Sequence, residues 1–226
     1  MTVDALQIHG ERNHTIKLQA IWVCCKLKTL HQMKFIFSLF ILLISFNSFG
    51  QLNDNEIRDL KTGHVKKDSS YVYWLPYKKG NKYLFVQGAN SSFSHKGEIS
   101  FDFKMKKGST ICAARAGIVI ATKMDSDKGG LKDEFLNDGN HIIIQHEDGS
   151  MAQYWHLEQN GVLVKVGDTV KKGQLIGYSG NTGYTAFPHL HFQLVDSTGK
   201  EILPRFQTKK GILYLRPGRW YKAVNY

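Results

Sequence analysis

The sequence predicts an all-β domain, and three observations carry that expectation. Beyond Tyr71, short stretches rich in β-branched and aromatic residues are separated by turn-forming glycines. No stretch in the same region repeats with the period of an amphipathic helix. Glycine is abundant (21) and proline scarce (4) among 226 residues, a balance suited to many turns between short strands. Hydrophobic residues make up 42%, which fits a globular chain with room for one domain and a sizeable core.

Taken in order, strands are expected at 83–87, 100–105, 117–123, 141–146, 151–157, 174–178 and 189–195. Asp148-Gly149 is a hairpin signal between two of them, because both residue types accept the positive φ of a tight turn. Residues 125–139 break the rhythm, and their Asp, Lys, Gly and Asn content marks an exposed loop rimming a cleft. The expected layout is a start-site extension over 1–32, a signal peptide over 33–50, a polar lead segment over 51–72, the β domain over 73–216 and a C-terminal tail over 217–226.

The signal peptide rests on residues 35–46, apolar except for Ser38 and Ser45, preceded by Met33-Lys34 and followed by Asn47-Ser48-Phe49-Gly50. The run is shorter than the roughly 20 residues a spanning helix needs. A basic start, a short apolar core and small residues at Ser48 and Gly50 describe an export signal cleaved after Gly50, with translation starting at Met33. No cysteine directly follows the run, so a lipid anchor is not expected. Cleavage leaves Cys112 as the single thiol, in the apolar run Ile111-Cys112-Ala113-Ala114, and no disulfide is available. The net charge of +11 suits an anionic polymer or membrane surface. No arginine-rich or basic-aromatic pattern points to nucleic acid.

His189 and His191 are two apart, so on a strand both imidazoles project from one face. His95, Asp102 and His156 each lie in a strand-like segment able to converge on that face. Two histidines and an aspartate suit zinc, with one coordination position left for water. Further histidines suit proton transfer, since their ordinary pKa lies close to neutral pH.

Four segments resemble peptidase family M23, the zinc endopeptidases of the LytM/lysostaphin type. They are Ser94-His95 through Phe101-Asp102-Phe103, then Gly108-Ser109-Thr110 through Gly117-Ile118-Val119, then Tyr154-Trp155-His156-Leu157. The fourth is Ser179-Gly180-Asn181-Thr182-Gly183 followed by Pro188-His189-Leu190-His191-Phe192. The resemblance covers roughly residues 80–196. It implies a compact antiparallel β-sheet or sandwich of the LytM (duplicated hybrid motif-like) type with long active-site loops. It implies a Zn2+ cofactor held by His95, Asp102 and His191, with His156 and His189 as catalytic histidines. Which of those two deprotonates water and which stabilises the oxyanion stays open. The implied substrate is the peptide cross-link of peptidoglycan, met in the periplasm, the cell envelope or outside the cell, with no stable membrane span after signal cleavage. A regulatory protein partner stays unidentified.

One spacing departs from the family, whose first histidine and aspartate usually lie four apart, whereas His95 and Asp102 are seven apart. On an unbroken strand an odd separation puts two side chains on opposite faces, so Lys96-Gly97-Glu98 must hold a turn or bulge. Glu98 competes with Asp102 as the carboxylate ligand, and the Asp-Phe pair ahead of Gly-Ser-Thr favours Asp102. His141, at the loop boundary, is a candidate cleft residue, whereas His146 is expected at the surface. His9, His14, His31 and His64 receive no site role. The alternative function is a non-catalytic LytM-like wall-binding module or an activator of another hydrolase; such members typically lack ligands, and here all five positions are filled. Residues 164–174 also resemble the hammerhead turn of biotinyl and lipoyl carrier domains, but only Asp127-Lys128 loosely matches a carrier's modified lysine.

Overall fold

The computed structural model describes residues 71–224 apart from 90, 92–94 and 96, so the expected start site, the signal peptide and nearly all of the lead segment lie outside the described residues. In chain order the strands are β1 (Val72–Trp74), β2 (Lys82–Gln87), β3 (Ser100–Lys104), β4 (Thr110–Cys112) and β5 (Gly117–Lys123). After β6 (Gly129–Gly130) and a 3-10 turn at Asp133–Phe135 come β7 (His141–Gln145), β8 (Met151–Trp155), β9 (Leu157–Val162) and β10 (Thr169–Val170). The chain ends with β11 (Leu175–Ser179), β12 (Gly183–Tyr184), β13 (His189–Val195), β14 (Arg205–Thr208), β15 (Gly211–Leu213) and β16 (Arg219–Lys222). The described residues hold no α-helix, as the missing helical period predicts.

An eight-stranded sheet in the order β10-β5-β7-β8-β13-β3-β2-β16 is antiparallel throughout. Two three-stranded sheets, β4-β11-β9 and β1-β14-β15, and the small parallel pair of β6 and β12 complete the fold. β13 shows how alternation builds it. Leu190, Phe192 and Leu194 are fully buried on one face, while His189, His191 and Gln193 occupy the other. The buried face meets Phe206 of β14, whose ring lies 5.4 Å from Phe101, 6.5 Å from Phe103 and 6.1 Å from Phe192. Cys112 is buried, and loss of solvent pushes its thiol up to about 11, the behaviour of an inert core thiol.

The hairpin signal at Asp148-Gly149 joins β7 to β8, with Gly149 at φ +78°. The single strand expected over 151–157 is instead two. His156 sits at φ +64°, a left-handed conformation uncommon for a residue with a side chain, and this breaks β8 from β9. The break is held from outside: Leu157 donates to the Asn140 carbonyl at 3.1 Å, and Gly180 donates to the His156 carbonyl at 2.8 Å. Only glycine fits at 180, because a Cβ there would come within 2.6 Å of the Leu157 carbonyl carbon.

Two further findings differ from the sequence reading. His146 is buried, not superficial: its Nδ1 donates to the Ala116 carbonyl at 2.8 Å and Tyr73 packs edge-on at 5.3 Å, a contact brought from a distant strand. The segment expected as a tail contains β16, which pairs with β2 and forms an edge of the large sheet.

Phe192 links the sheet to the layer beneath it. Phe192→Ala should cost about 3–5 kcal/mol of folding stability, read from urea denaturation. A loss under about 1 kcal/mol would mean that the two layers do not depend on this ring.

Candidate metal centre

The register of three strands assembles the site. β3 pairs with β13 so that Asp102 lies opposite His191, and β8 pairs on the other side so that Trp155 lies opposite the same histidine. His189 follows from its two-residue spacing, and His156 projects from the break between β8 and β9. His95 precedes β3 in a turn closed by a hydrogen bond from the Glu98 amide to the His95 carbonyl at 3.0 Å, with Gly97 at φ +80°. The turn required by the odd spacing is therefore present, and it brings His95 back over Asp102.

All five residues singled out from the sequence line one cleft of about 270 Å³. Donor atoms of His95, Asp102 and His191 all lie within 4.8 Å of one another, as do those of His156, His189 and His191. Asp102 is the hub: its carboxylate lies 3.2 Å from His95 Nε2, 3.0 Å from His191 Nδ1 and 3.5 Å from His189 Nε2. Glu98 stands on the far side of His191, 3.2 Å from Nε2. Two imidazoles and one carboxylate on a shared centre are the donor chemistry of a zinc site with a position left open, and these residues fit that metal.

Ring tautomers follow from what each partner can do. A carbonyl oxygen only accepts, so His156 Nδ1–H donates to the Thr182 carbonyl at 2.7 Å and His189 Nδ1–H to the Phe187 carbonyl at 2.8 Å. His95 Nδ1–H donates in the same way to the Gly88 carbonyl at 3.2 Å. His156 and His189, when uncharged, are thereby left with an unprotonated Nε2, the form that accepts a proton. Burial, reinforced by the neighbouring histidines, pushes His156 down to about 3, and burial likewise lowers His189. His191 behaves in the opposite sense. Its burial disfavours charge, but hydrogen bonds to Asp102 and Glu98 outweigh this and raise it to about 10. For Asp102 too, burial opposes ionisation, and the hydrogen bonds of His191 and His95 hold it far below the usual carboxylate range.

His141 does not line the cleft. It packs 4.2 Å from Trp155, whose indole stands between it and the site, and its Nδ1 donates to the Gly139 carbonyl at 3.1 Å. Gln153 and Gln193 do line it and were passed over in the sequence. The signal was available, since each lies two residues from a cleft residue on the same strand, Trp155 and His191. The loop over 125–139 reaches the rim through Leu131, and β6 within it is tied to β12.

An antiparallel sheet bearing this donor set, with two uncharged imidazoles across the cleft, is the architecture of a metallopeptidase domain. Residues 93–204 match the pattern of Peptidase family M23, and the domain belongs to that family. An uncharacterized metalloprotease of Buchnera aphidicola is 30% identical over 199 residues, covering 76% of this chain and 49% of the relative. Lysostaphin of Staphylococcus staphylolyticus is 38% identical over 138 residues, 58% of this chain and 26% of the relative. The peptidoglycan DD-endopeptidase ShyA of Vibrio cholerae is 37% identical over 94 residues, 42% of this chain and 19% of the relative. The chain thus spans half or less of the length of these relatives.

In the metal-free chain His191 holds its second proton well above neutral pH, and a ligand nitrogen must shed it. The sign follows: lowering pH favours the protonated ring and opposes metal. Zinc affinity should rise about tenfold per pH unit from pH 6 to 8, with about one proton released per ion. Calorimetry in buffers of different ionisation enthalpy measures that release; binding without proton release would contradict the charged state of His191.

Proposed function

We propose that the chain is an exported, zinc-dependent endopeptidase that hydrolyses peptide cross-links of bacterial peptidoglycan. The observation that carries this reading is the convergence of His95, Asp102 and His191 at one end of a cleft whose facing side holds His156 and His189. The similarity to a peptidoglycan DD-endopeptidase and to lysostaphin supports the substrate class. The net charge of +11 suits an anionic wall, and among the described residues no helix is long and apolar enough to cross a membrane.

His95, Asp102 and His191 are the proposed ligands. When bound, zinc supplies Lewis acidity for a peptide carbonyl and lowers the pKa of a water to about 7. The remaining steps belong to the protein. His156 and His189, kept uncharged by burial and turned by the Thr182 and Phe187 carbonyls, present Nε2 to the reacting groups. One takes a proton of the attacking water and returns it to the leaving amine, and the other takes up a solvent proton at Nε2 as negative charge develops and shares it with the oxyanion in a hydrogen bond. Trp155 and the amides of Gln153 and Gln193 line the same cleft, offering an apolar plane and hydrogen-bonding groups to an extended peptide.

The test is fragment release from purified peptidoglycan, with and without a chelator. His156→Ala and His189→Ala should each keep one zinc while kcat/KM falls at least about 100-fold. His191→Ala should lose both metal and activity. A chain that binds one zinc yet releases no fragment from any peptidoglycan would instead be a wall-binding or activating module.

A further inference from the structure

The four histidines of the cleft differ in what holds the ring nitrogen turned away from the centre. For His95, His156 and His189 it is a main-chain carbonyl, of Gly88, Thr182 and Phe187, with the Thr185 hydroxyl also 3.3 Å from His189 Nδ1. For His191 it is a side chain: Nε2 faces Glu98 Oε1 at 3.2 Å, while Nδ1 faces Asp102 Oδ1 at 3.0 Å. The two nitrogens of an imidazole point in divergent directions. A cation shared by His191 Nδ1, Asp102 and His95 therefore lies on the opposite side of the ring from the Glu98 contact. Among the described residues, the groups whose donor atoms converge do not include Glu98.

Glu98 is itself held in place. Gln193 Nε2 donates to Glu98 Oε1 at 3.4 Å and to Glu201 Oε1 at 2.8 Å, and Glu201 Oε2 accepts the Ile99 amide at 2.6 Å. The residue after Glu98 and the residue two beyond His191 are thus tied to one carboxylate. Such a frame fixes a side chain whose task is to orient its neighbour.

We infer that Glu98 is a positioning residue of the metal centre, not a ligand. It accepts the Nε2–H of His191, which fixes the tautomer, aims Nδ1 at the ion and makes the imidazole a stronger donor. The inference rests on the zinc reading above and assigns Glu98 a contact to a ligand histidine that a substitution can remove, whereas the outward nitrogen of His95 faces a main-chain carbonyl.

The test uses the full chain, comparing wild type with Glu98→Ala, Glu98→Gln and Asp102→Ala. Zinc affinity is read by competition with a chromophoric chelator, and the His191 ring is read by long-range proton–nitrogen NMR of the zinc-loaded chain. Glu98→Ala should still take one zinc, with affinity reduced about 10–100-fold. Glu98→Gln, whose amide oxygen can still accept, should recover part of that loss and keep the Nε2–H signature. Should the alanine variant fail to fold, the near-isosteric glutamine variant and its NMR signature still decide. Unchanged affinity in both Glu98 variants overturns the inference, as does a Glu98→Ala chain that binds no zinc beside an Asp102→Ala chain that does. A wild-type chain that takes up no zinc overturns the proposed function itself, and that failure is seen before any variant is compared.

Discussion

The antiparallel register between β3 and β13 is the constraint on which the rest of the site depends. It sets Asp102 against His191 while Phe101 and Phe103 stay in the core beside Phe192. Side chains alternate with period two, so a slip of one residue would turn Leu190 and Phe192 into the cleft and bury both histidines. The aromatic cluster that rejects such a slip lies beneath the site, with Phe206 touching Phe101, Phe103 and Phe192 together. Core packing and site geometry are two faces of the same pairing.

On that frame, the site separates two electrostatic regimes. At one end Asp102 gathers histidine nitrogens, and with Glu98 it keeps His191 charged in the metal-free chain. At the other end burial keeps His156 and His189 uncharged. A divalent cation placed among His95, Asp102 and His191 replaces a proton with a stronger positive charge, so the ionised Asp102 keeps its partner. The uncharged pair then faces that charge with free Nε2 atoms, the arrangement general base chemistry requires. His156 reaches its position by adopting a left-handed backbone, at a cost of about 1–2 kcal/mol. The main-chain bonds from Leu157 and Gly180 offset that cost.

Much of this was legible in the sequence, and the exceptions have a common cause. Six of the eight strands of the large sheet, β2, β3, β5, β7, β8 and β13, announce themselves by local alternation, and the hairpin at Asp148-Gly149 by turn chemistry. Of the five residues singled out for the site, Asp102, His189 and His191 lie in such strands and His156 directly beside one, while His95 sits in the turn ahead of β3. What escaped depends on distant partners. β1, β14 and β15 are three or four residues long and exist by pairing with one another; β16 exists by pairing with β2. His146 looks like a surface residue until Tyr73 arrives from the far end of the chain. The break at His156 is imposed by Gly180 and Asn140, neither of them adjacent in sequence.

The spacing of His95 and Asp102 is where local and distant logic meet. Seven residues on a strand would separate the two side chains, and the chain resolves this with a turn at Gly97 before β3 begins. That turn does more than restore convergence. It lifts Glu98 out of the strand and sets its carboxylate against His191 Nε2, where Gln193 and Glu201 frame it. The longer connection holds both the turn and the carboxylate that meets His191 Nε2. The departure that first put the aspartate in question leaves both carboxylates on one ring, Asp102 at His191 Nδ1 and Glu98 at Nε2.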